Sequence, residues 1–140
     1  MKYLFLILFL IFGSGVAYSQ EVSLYDKYGM ARAYIAEDLT IYMWNGDPVA
    51  YLHNTVNGWI VYGFNGRALG WYDDGIIYDT NGDVCGFQRD ALGIITFADG
   101  MKALKSMKPL KGMREIAPIK PMFSNTWAPT PLTLVLRAGE

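Results

Sequence analysis

The motif Ile41-Tyr42-Met43-Trp44-Asn45-Gly46 occurs, with variations, four times in the chain. The other copies are Leu24-Tyr25-Asp26-Lys27-Tyr28-Gly29, Val61-Tyr62-Gly63-Phe64-Asn65-Gly66 and Ile77-Tyr78-Asp79-Thr80-Asn81-Gly82. After three variable positions, each copy continues with a small residue and an aromatic one: Ala33-Tyr34, Ala50-Tyr51, Gly70-Trp71 and Gly86-Phe87. Four copies in one register predict four equivalent structural units.

Each unit is predicted to be a two-stranded β-hairpin. Asn-Gly between two apolar segments is a strong hairpin signal, and both residues accept the positive φ of a tight turn. A lone hairpin is only marginally stable, so the four units must pack together, and closing them into a ring removes exposed strand edges. The fold class is therefore all-β, with four hairpins in a pseudo-fourfold closed ring or a continuous meander. We expect a central aromatic core formed by Tyr25, Tyr34, Tyr42, Tyr51, Tyr62, Trp71, Tyr78 and Phe87.

The C-terminal tail follows a different period. An apolar residue recurs at every third position, at Met101, Leu104, Met107, Leu110, Met113, Ile116, Ile119 and Met122. Cations fill the next phase, at Lys102, Lys105, Lys108, Lys111, Arg114 and Lys120. Three residues per turn is typical of polyproline II and matches neither an α-helix nor a strand. The pattern predicts an extended tail, with a short helix over residues 101–107 as the alternative.

Charge is divided unevenly between the two regions. Residues 20–100 hold four cationic and eleven acidic residues, a net charge of −7, whereas residues 101–140 hold seven and two, a net charge of +5. We therefore expect the tail to dock on its own acidic repeat domain with its apolar edge against it. The alternative is a tail that recruits another chain or an anionic envelope polymer. Trp127 and the run 132–136 are predicted to form a final anchor or strand.

The N-terminus has the layout of a secretory signal peptide. Lys2 precedes an apolar run over residues 3–12, and Ala17-Tyr18-Ser19 supplies small residues at a cleavage site before Gln20. The apolar run is shorter than the ~20 residues that span a bilayer, which disfavours the alternative of an uncleaved anchor. We predict a signal peptide over 1–19, a repeat domain over 20–100 and a basic tail over 101–140. The mature protein is then periplasmic or secreted, with no stable membrane span.

Chemistry-bearing residues are few. One cysteine and one histidine provide neither a disulfide framework nor a metal cluster, so Cys85 is predicted to be buried and His53 to be structural or at the surface. The stretch Asp79-Thr80-Asn81-Gly82-Asp83 resembles the start of a calcium loop, but Val84 stands where glycine is required. No catalytic residue, metal or cofactor is predicted, and no nucleic-acid partner. A hydrolase whose acids, such as Asp73 and Asp74, converge only in the fold is an alternative.

The repeats also carry a family resemblance. Residues 41–52 and 61–72 resemble the four-fold beta-flower domain of secreted bacterial proteins, and the likeness extends to Lys120-Pro121-Met122-Phe123-Ser124-Asn125-Thr126-Trp127. It covers nearly the whole predicted mature chain. The resemblance implies a fold and brings no assigned activity.

Two functional hypotheses from different classes follow. The first is a non-enzymatic structural or interaction module of the bacterial cell envelope, with an envelope glycan, a protein or a second copy as partner. The second is a carbohydrate- or small-ligand-binding module that uses Trp44, Phe64 and Trp59. Trp44 and Phe64 stand just before their turns, where the other units have Lys27 and Thr80. Their rings could stack on a sugar or pack on the tail.

Overall fold

A computed structural model describes residues 20–140, and the predicted signal peptide lies outside the described residues. The described chain forms eight strands and one helix. They are β1 (Val22–Tyr25), β2 (Ala31–Ile35), β3 (Thr40–Met43), β4 (Pro48–Thr55), β5 (Gly58–Gly63), β6 (Ala68–Asp73), β7 (Ile76–Asp79), β8 (Val84–Gln88) and α1 (Leu132–Arg137).

The eight strands form a closed antiparallel barrel. Each strand pairs with its neighbours in sequence, and β8 pairs with β1 to complete the ring. This arrangement confirms the closed ring of four hairpins. The turns of the four repeated motifs lie at one end of the barrel, called here the turn end. The links β2–β3, β4–β5 and β6–β7 lie at the opposite end, called here the connector end.

All four turns have the same geometry, which differs from the predicted one. In the second hairpin, Gly46 donates its N–H to the Met43 carbonyl and Met43 donates its N–H to the Asp47 carbonyl. Positive φ occurs at the glycine, at +96° for Gly46, and not at Asn45. The loop is thus a turn followed by a left-handed bulge residue, as the register shifts in each hairpin also show. The expectation that both Asn and Gly adopt positive φ was wrong.

The centre of the barrel is aliphatic. Residues such as Leu24, Ile41, Val61 and Ile77 form one buried cluster. Tyr34, Tyr42, Tyr51, Tyr62 and Tyr78 belong to separate clusters on the opposite face of the strands. The predicted central aromatic core was therefore wrong. Strand residues alternate between faces, so the pattern allowed either set inside, and an eight-stranded barrel leaves room only for modest side chains. The outward-facing Tyr25 and Tyr62 also donate their hydroxyl groups to the strap.

The chain's end closes the turn end of the barrel. Leu132 and Leu136 of α1 are buried within the aliphatic cluster, and Asn65 donates its N–H to the Gly139 carbonyl. The small inner residues of the repeats leave space for this helix: a Cβ at Gly86 would lie 2.8 Å from a methyl group of Leu132. The run 132–136 is thus an anchor, as predicted, but it is helical and not a strand.

Between β8 and α1 the chain forms a long extended segment, residues 93–124, which we call the strap. It carries neither helix nor strand, so the predicted extended tail is found and the alternative helix over 101–107 is not. The strap crosses the four hairpin turns in order and covers the outer face of the barrel. The tail thus lies along its own repeat domain.

Candidate functional site

The strap meets each hairpin turn in the same way, once every nine residues. A strap N–H donates to the carbonyl of the turn glycine at 2.9 Å in all four hairpins. The pairs are Phe97 with Gly29, Ser106 with Gly46, Glu115 with Gly66 and Ser124 with Gly82. Nine residues are three turns of a polyproline-like chain, so the same edge of the strap returns to each hairpin. The three-residue period of the strap therefore brings an equivalent strap residue to each of the four turns of the barrel.

Turn glycines make this approach feasible. A Cβ at Gly66 would lie 2.0 Å from the Met113 carbonyl oxygen, and a Cβ at Gly46 would lie 2.0 Å from that of Leu104. Conversely, a Cβ at Gly112 of the strap would lie 3.1 Å from the Asn65 main chain. The remaining phase of the strap, here called the small-residue phase, thus faces the turns, and the apolar and cationic phases are directed elsewhere. Its members are Ala103, Ser106, Pro109, Gly112, Glu115, Pro118 and Pro121.

The cationic phase faces the barrel. The Lys102 ammonium lies 4.3 Å from the ring centre of Tyr34, and the Lys111 ammonium lies 4.2 Å from that of Tyr51. These are favourable cation–π distances. The strap and the outer strand face therefore enclose an aromatic layer, composed of Tyr25, Tyr34, Tyr42, Tyr51, Tyr62, Trp71, Tyr78 and Phe87.

Carboxylates of the barrel hold three strap lysines. Lys102 and Lys105 both pair with Glu21, at 2.9 and 2.6 Å, and Lys108 pairs with Asp38 at 2.7 Å. Burial alone would raise the pKa of Glu21, but hydrogen bonds from Lys105 and Lys102 outweigh it and lower the pKa below its usual value. The same balance, with Lys108 and Thr40 as donors, lowers the pKa of Asp38 to about 2.

The apolar phase of the strap is left in solvent. Its eight predicted members are 93–96% exposed, and Ile95 extends the same phase toward β8. We call this set the apolar edge: Ile95, Met101, Leu104, Met107, Leu110, Met113, Ile116, Ile119 and Met122. The expectation that this edge packs against the repeat domain was wrong. The small-residue phase lies against the turns, and the cationic phase lies over the tyrosine rings. The apolar phase is therefore directed away from the barrel and into solvent.

A second candidate site lies inside the connector end. There a cavity of about 340 Å³ is lined by inner-face residues and by the β2–β3 link. We call it the mouth, and its lining is Gln20, Val22, Ile35, Ala36, Glu37, Leu39, Leu52, Trp59 and Tyr72. Because α1 fills the turn end, the two ends of the barrel differ sharply in accessibility.

The three aromatic residues predicted as ligand contacts are not brought together. Trp44 lies on the outer face, partly buried, with its ring edge-on to Tyr34 and its carbonyl bonded to the Ala103 N–H. Phe64 is only 5% exposed and also accepts a strap hydrogen bond, from Gly112. Trp59 lies in the mouth, where it contacts the aliphatic interior.

Other residues singled out in the sequence take ordinary positions. Asp73, the last residue of β6, and Asp74, in the β6–β7 link, are both exposed. Cys85 is buried, as expected, and burial raises the pKa of its thiol to about 12. His53 lies edge-on to Tyr62, and burial, with Arg114 and Lys111 nearby, lowers its pKa. Within residues 20–140, no group of three or more His, Cys, Asp or Glu side chains could hold a metal ion.

Sequence reasoning missed some residues of both candidate sites. Ile95 was detectable, because stepping back by three from Met101 reaches it through Ala98. Leu39 and Tyr72 gave no comparable signal, since their role depends on the ring of strands closing around them. A search for helices long and apolar enough to cross a bilayer finds none in residues 20–140.

Comparison with known proteins gives one match. The model of the family described as 4-fold beta flower protein matches residues 22–136. These residues include all eight strands, the whole strap and most of α1. No curated protein and no solved structure gives a significant match.

Proposed function

The chain belongs to the 4-fold beta flower family, and from that premise we propose that it is an exported, non-enzymatic interaction module of the bacterial cell envelope. The proposed binding surface is the apolar edge, and its proposed occupant is the apolar edge of another copy of this chain. The export signal predicted over residues 1–19 supports a periplasmic or secreted location.

The observation that carries the proposal is the exposure of the apolar edge. Soluble proteins rarely leave extended rows of large apolar side chains in water, and such surfaces usually mark interaction sites. Nothing in the fold forces this exposure on the sequence, because polar residues in the same phase would make the same strap. The edge therefore fits a surface retained for contact with something apolar.

Geometry favours a second copy as that apolar surface. Residues three apart along a polyproline-like chain are separated by about 9 Å, which leaves gaps between successive side chains. A partner edge with the same spacing can insert its side chains into those gaps, and another copy has that spacing by definition. Such a contact can use the same residues on both partners.

Electrostatics and shape support the same choice. Lys102, Lys105 and Lys108 already pair with carboxylates of their own barrel, so two straps can approach without three unpaired cations each. The edge follows the strap past all four turns of a closed barrel, and a flat lipid surface would meet only part of it. Several copies could instead cover it together, giving oligomers larger than a dimer.

Sedimentation velocity over a range of concentrations tests this proposal. The chain beginning at Gln20 should form concentration-dependent oligomers. The double variant Met107→Gln/Leu110→Gln should shift them toward monomer, because burying each side chain is worth roughly 2 kcal/mol. At concentrations where both chains are monomeric, its melting temperature should equal that of the unmodified chain, since both side chains are exposed in the monomer.

Val56→Gln is the matched control, because Val56 is fully exposed at the connector end, away from the strap. It should leave the oligomers intact. A chain that stays monomeric at all concentrations would overturn the proposal. If such a monomer sediments with phosphatidylcholine vesicles through Met107 and Leu110, the occupant is lipid and the second copy is rejected.

A further inference from the structure

The mouth is a pocket with apolar walls and a polar rim. Val22, Ile35, Leu52 and Trp59 line it from the inner face of the strands and continue into the aliphatic interior. At about 340 Å³ it is large enough for a small organic molecule. Mouths of β-barrels are a common place for such sites, since the strands hold the lining rigidly.

Leu39 at the rim has a backbone conformation that a leucine rarely adopts. Its φ is +72°, and its conformation is held by two hydrogen bonds, from its N–H to the Ala36 carbonyl and from the Leu52 N–H to its own carbonyl. Other links at the connector end use Gly58, Asp74 and Gly75 at positive φ, residue types that tolerate it better.

Glycine or asparagine at position 39 would relieve this strain. What a leucine adds is an apolar side chain, 38% exposed, at the edge of the pocket. Strain of this kind concentrates at functional sites, where the surrounding structure maintains it. The strained leucine is an observation independent of the cavity, and both indicate a ligand with an apolar part.

Charges around the mouth indicate the rest of the ligand. Glu37 lies in the lining. At the same end, Asp73 ends β6, Asp74 lies in the β6–β7 link and Asp90 follows β8. None of these four has an ion-pair partner among the described residues. At the same end, Glu21 and Asp38 are paired with strap lysines. The Lys120 ammonium near Gly58 and, in a chain that begins at Gln20, the α-amino group of that residue also lie at this end, but the four unpaired acids outnumber them. The net field at the mouth is therefore negative and favours a cation.

Polar atoms in the lining agree with this sign. The carboxylate of Glu37 and the amide oxygen of Gln20 can both accept hydrogen bonds. The Tyr72 hydroxyl donates to the Gln88 side chain at 2.5 Å, so its oxygen is also left to accept. An ammonium group, which has only donors, suits such a set of acceptors.

We propose that the mouth binds a small organic cation with a flat apolar ring, the ring packing against Trp59, Tyr72 and Leu39 and the ammonium group facing Glu37. This site is separate from the apolar edge and does not depend on self-association.

Two probes with the same ring and opposite charge test the proposal. Isothermal titration of the chain beginning at Gln20 should detect binding of tryptamine, with indole-3-acetate at least tenfold weaker. Trp59→Ala should abolish tryptamine binding, and Glu37→Gln should remove the preference for tryptamine. Leu39→Gly should weaken binding severalfold while raising the melting temperature, a combination that a purely structural residue would not give.

Trp44→Ala and Asp47→Asn are the matched controls, an aromatic residue on the outer face and an acid at the turn end. Both should bind tryptamine like the unmodified chain. The proposal is overturned if neither probe binds at millimolar concentration, or if the two bind equally. It is also overturned if Glu37→Gln keeps the tenfold preference in a variant that melts normally.

Discussion

The barrel wall separates two buried layers that are held together by different forces. On the inside, aliphatic side chains pack against one another and against Leu132 and Leu136 of α1. On the outside, the aromatic layer is covered by lysine side chains, carboxylates and main-chain hydrogen bonds from the strap. The inner layer depends on removing apolar area from water, which neither salt nor acid changes much. The outer layer depends on charge, which both weaken.

The difference shows why tyrosine rather than phenylalanine dominates the repeats. The Tyr62 hydroxyl donates to the Glu115 carbonyl at 3.0 Å, and the Tyr25 hydroxyl donates to Asp99 of the strap at 2.5 Å. A ring that is apolar at its base and polar at its tip suits a layer between a barrel and a charged strap. Tyr72, on the inner face, reaches Gln88 at the end of the barrel, but a tyrosine deeper in the aliphatic interior would leave its hydroxyl unpaired, at a cost of about 1–3 kcal/mol.

The largest effect is expected from opening the inner layer. Leu136→Ala should lower the free energy of unfolding by about 2–5 kcal/mol, because it leaves a cavity beside residues that cannot collapse around it. Urea denaturation followed by circular dichroism measures this loss. Leu134→Ala in the same helix is the control, since Leu134 is 60% exposed and its loss should stay within about 0.5 kcal/mol. Equal losses for the two variants would mean that Leu136 does not anchor α1 in the turn end of the barrel.

A slightly smaller effect should come from separating the strap from one turn. Gly66→Ala places a Cβ at φ +92° and 2.0 Å from the Met113 carbonyl oxygen, so the strap must move. Strain and overpacking together should cost about 2–4 kcal/mol in thermal unfolding. Amide exchange at Glu115 should accelerate, because its hydrogen bond to the Gly66 carbonyl is lost. Gly93→Ala, where a Cβ meets nothing within 4 Å, should be neutral. Retained protection of Glu115 would contradict the tight contact.

Some features of these two layers were predictable from the sequence because they depend on local signals, and others were not because they depend on tertiary contacts. The four hairpins and their closure were predictable, because turn signals and alternation are local and recur four times. Which face holds the tyrosines was not, because alternation defines two sets of residues without saying which one is inside. The turn type was equally hidden, since Asn-Gly is compatible with more than one loop.

The strap and the mouth show the same limit at longer range. A three-residue period predicts three edges but not their orientation. The orientation depends on rings presented by distant strands and on turns so close to the strap that a Cβ at Gly46 or Gly66 would lie 2.0 Å from a strap carbonyl oxygen. The mouth brings together Val22, Leu39, Trp59 and Tyr72, which only the closed barrel makes neighbours. The positive φ of Leu39 has no sequence signal at all, because leucine is not a residue expected there.

A smaller effect should distinguish the cationic phase of the strap from its apolar edge. Lys111→Met removes the ammonium that lies 4.2 Å from the Tyr51 ring centre and should cost about 1 kcal/mol in urea denaturation. Leu110→Gln changes the adjacent residue, which is 95% exposed, and at a concentration where the chain is monomeric it should change stability by less than about 0.5 kcal/mol. The reverse order would show that the apolar edge, and not the cationic one, holds the strap in place.

The smallest expected effect is a selective loosening of the strap in acid. Glu21 and Asp38 have pKa values below their usual ones in the folded chain, about 2 for Asp38. A lowered folded pKa means that the contribution of each group is complete above its unfolded pKa and is lost as the pH falls through the folded one. For Asp38 the loss therefore runs from pH 3.8 down to about 2. The effect is small because Lys108 and Asp38 are both more than a third exposed.

Hydrogen exchange at the second hairpin compares the loosening of the strap with the stability of the barrel. The Ser106 N–H bonds from the strap to Gly46, whereas the Met43 N–H bonds to Asp47 within the turn. After correction for intrinsic exchange rates, protection of Ser106 should fall relative to Met43 as the pH drops from 4 to 2. Asp38→Asn should remove part of this change, and Asp90→Asn, at a residue with no ion pair to the strap among the described residues, should leave it intact. If both amides lose protection together, the two layers unfold as one unit, and charge does not hold the outer layer separately.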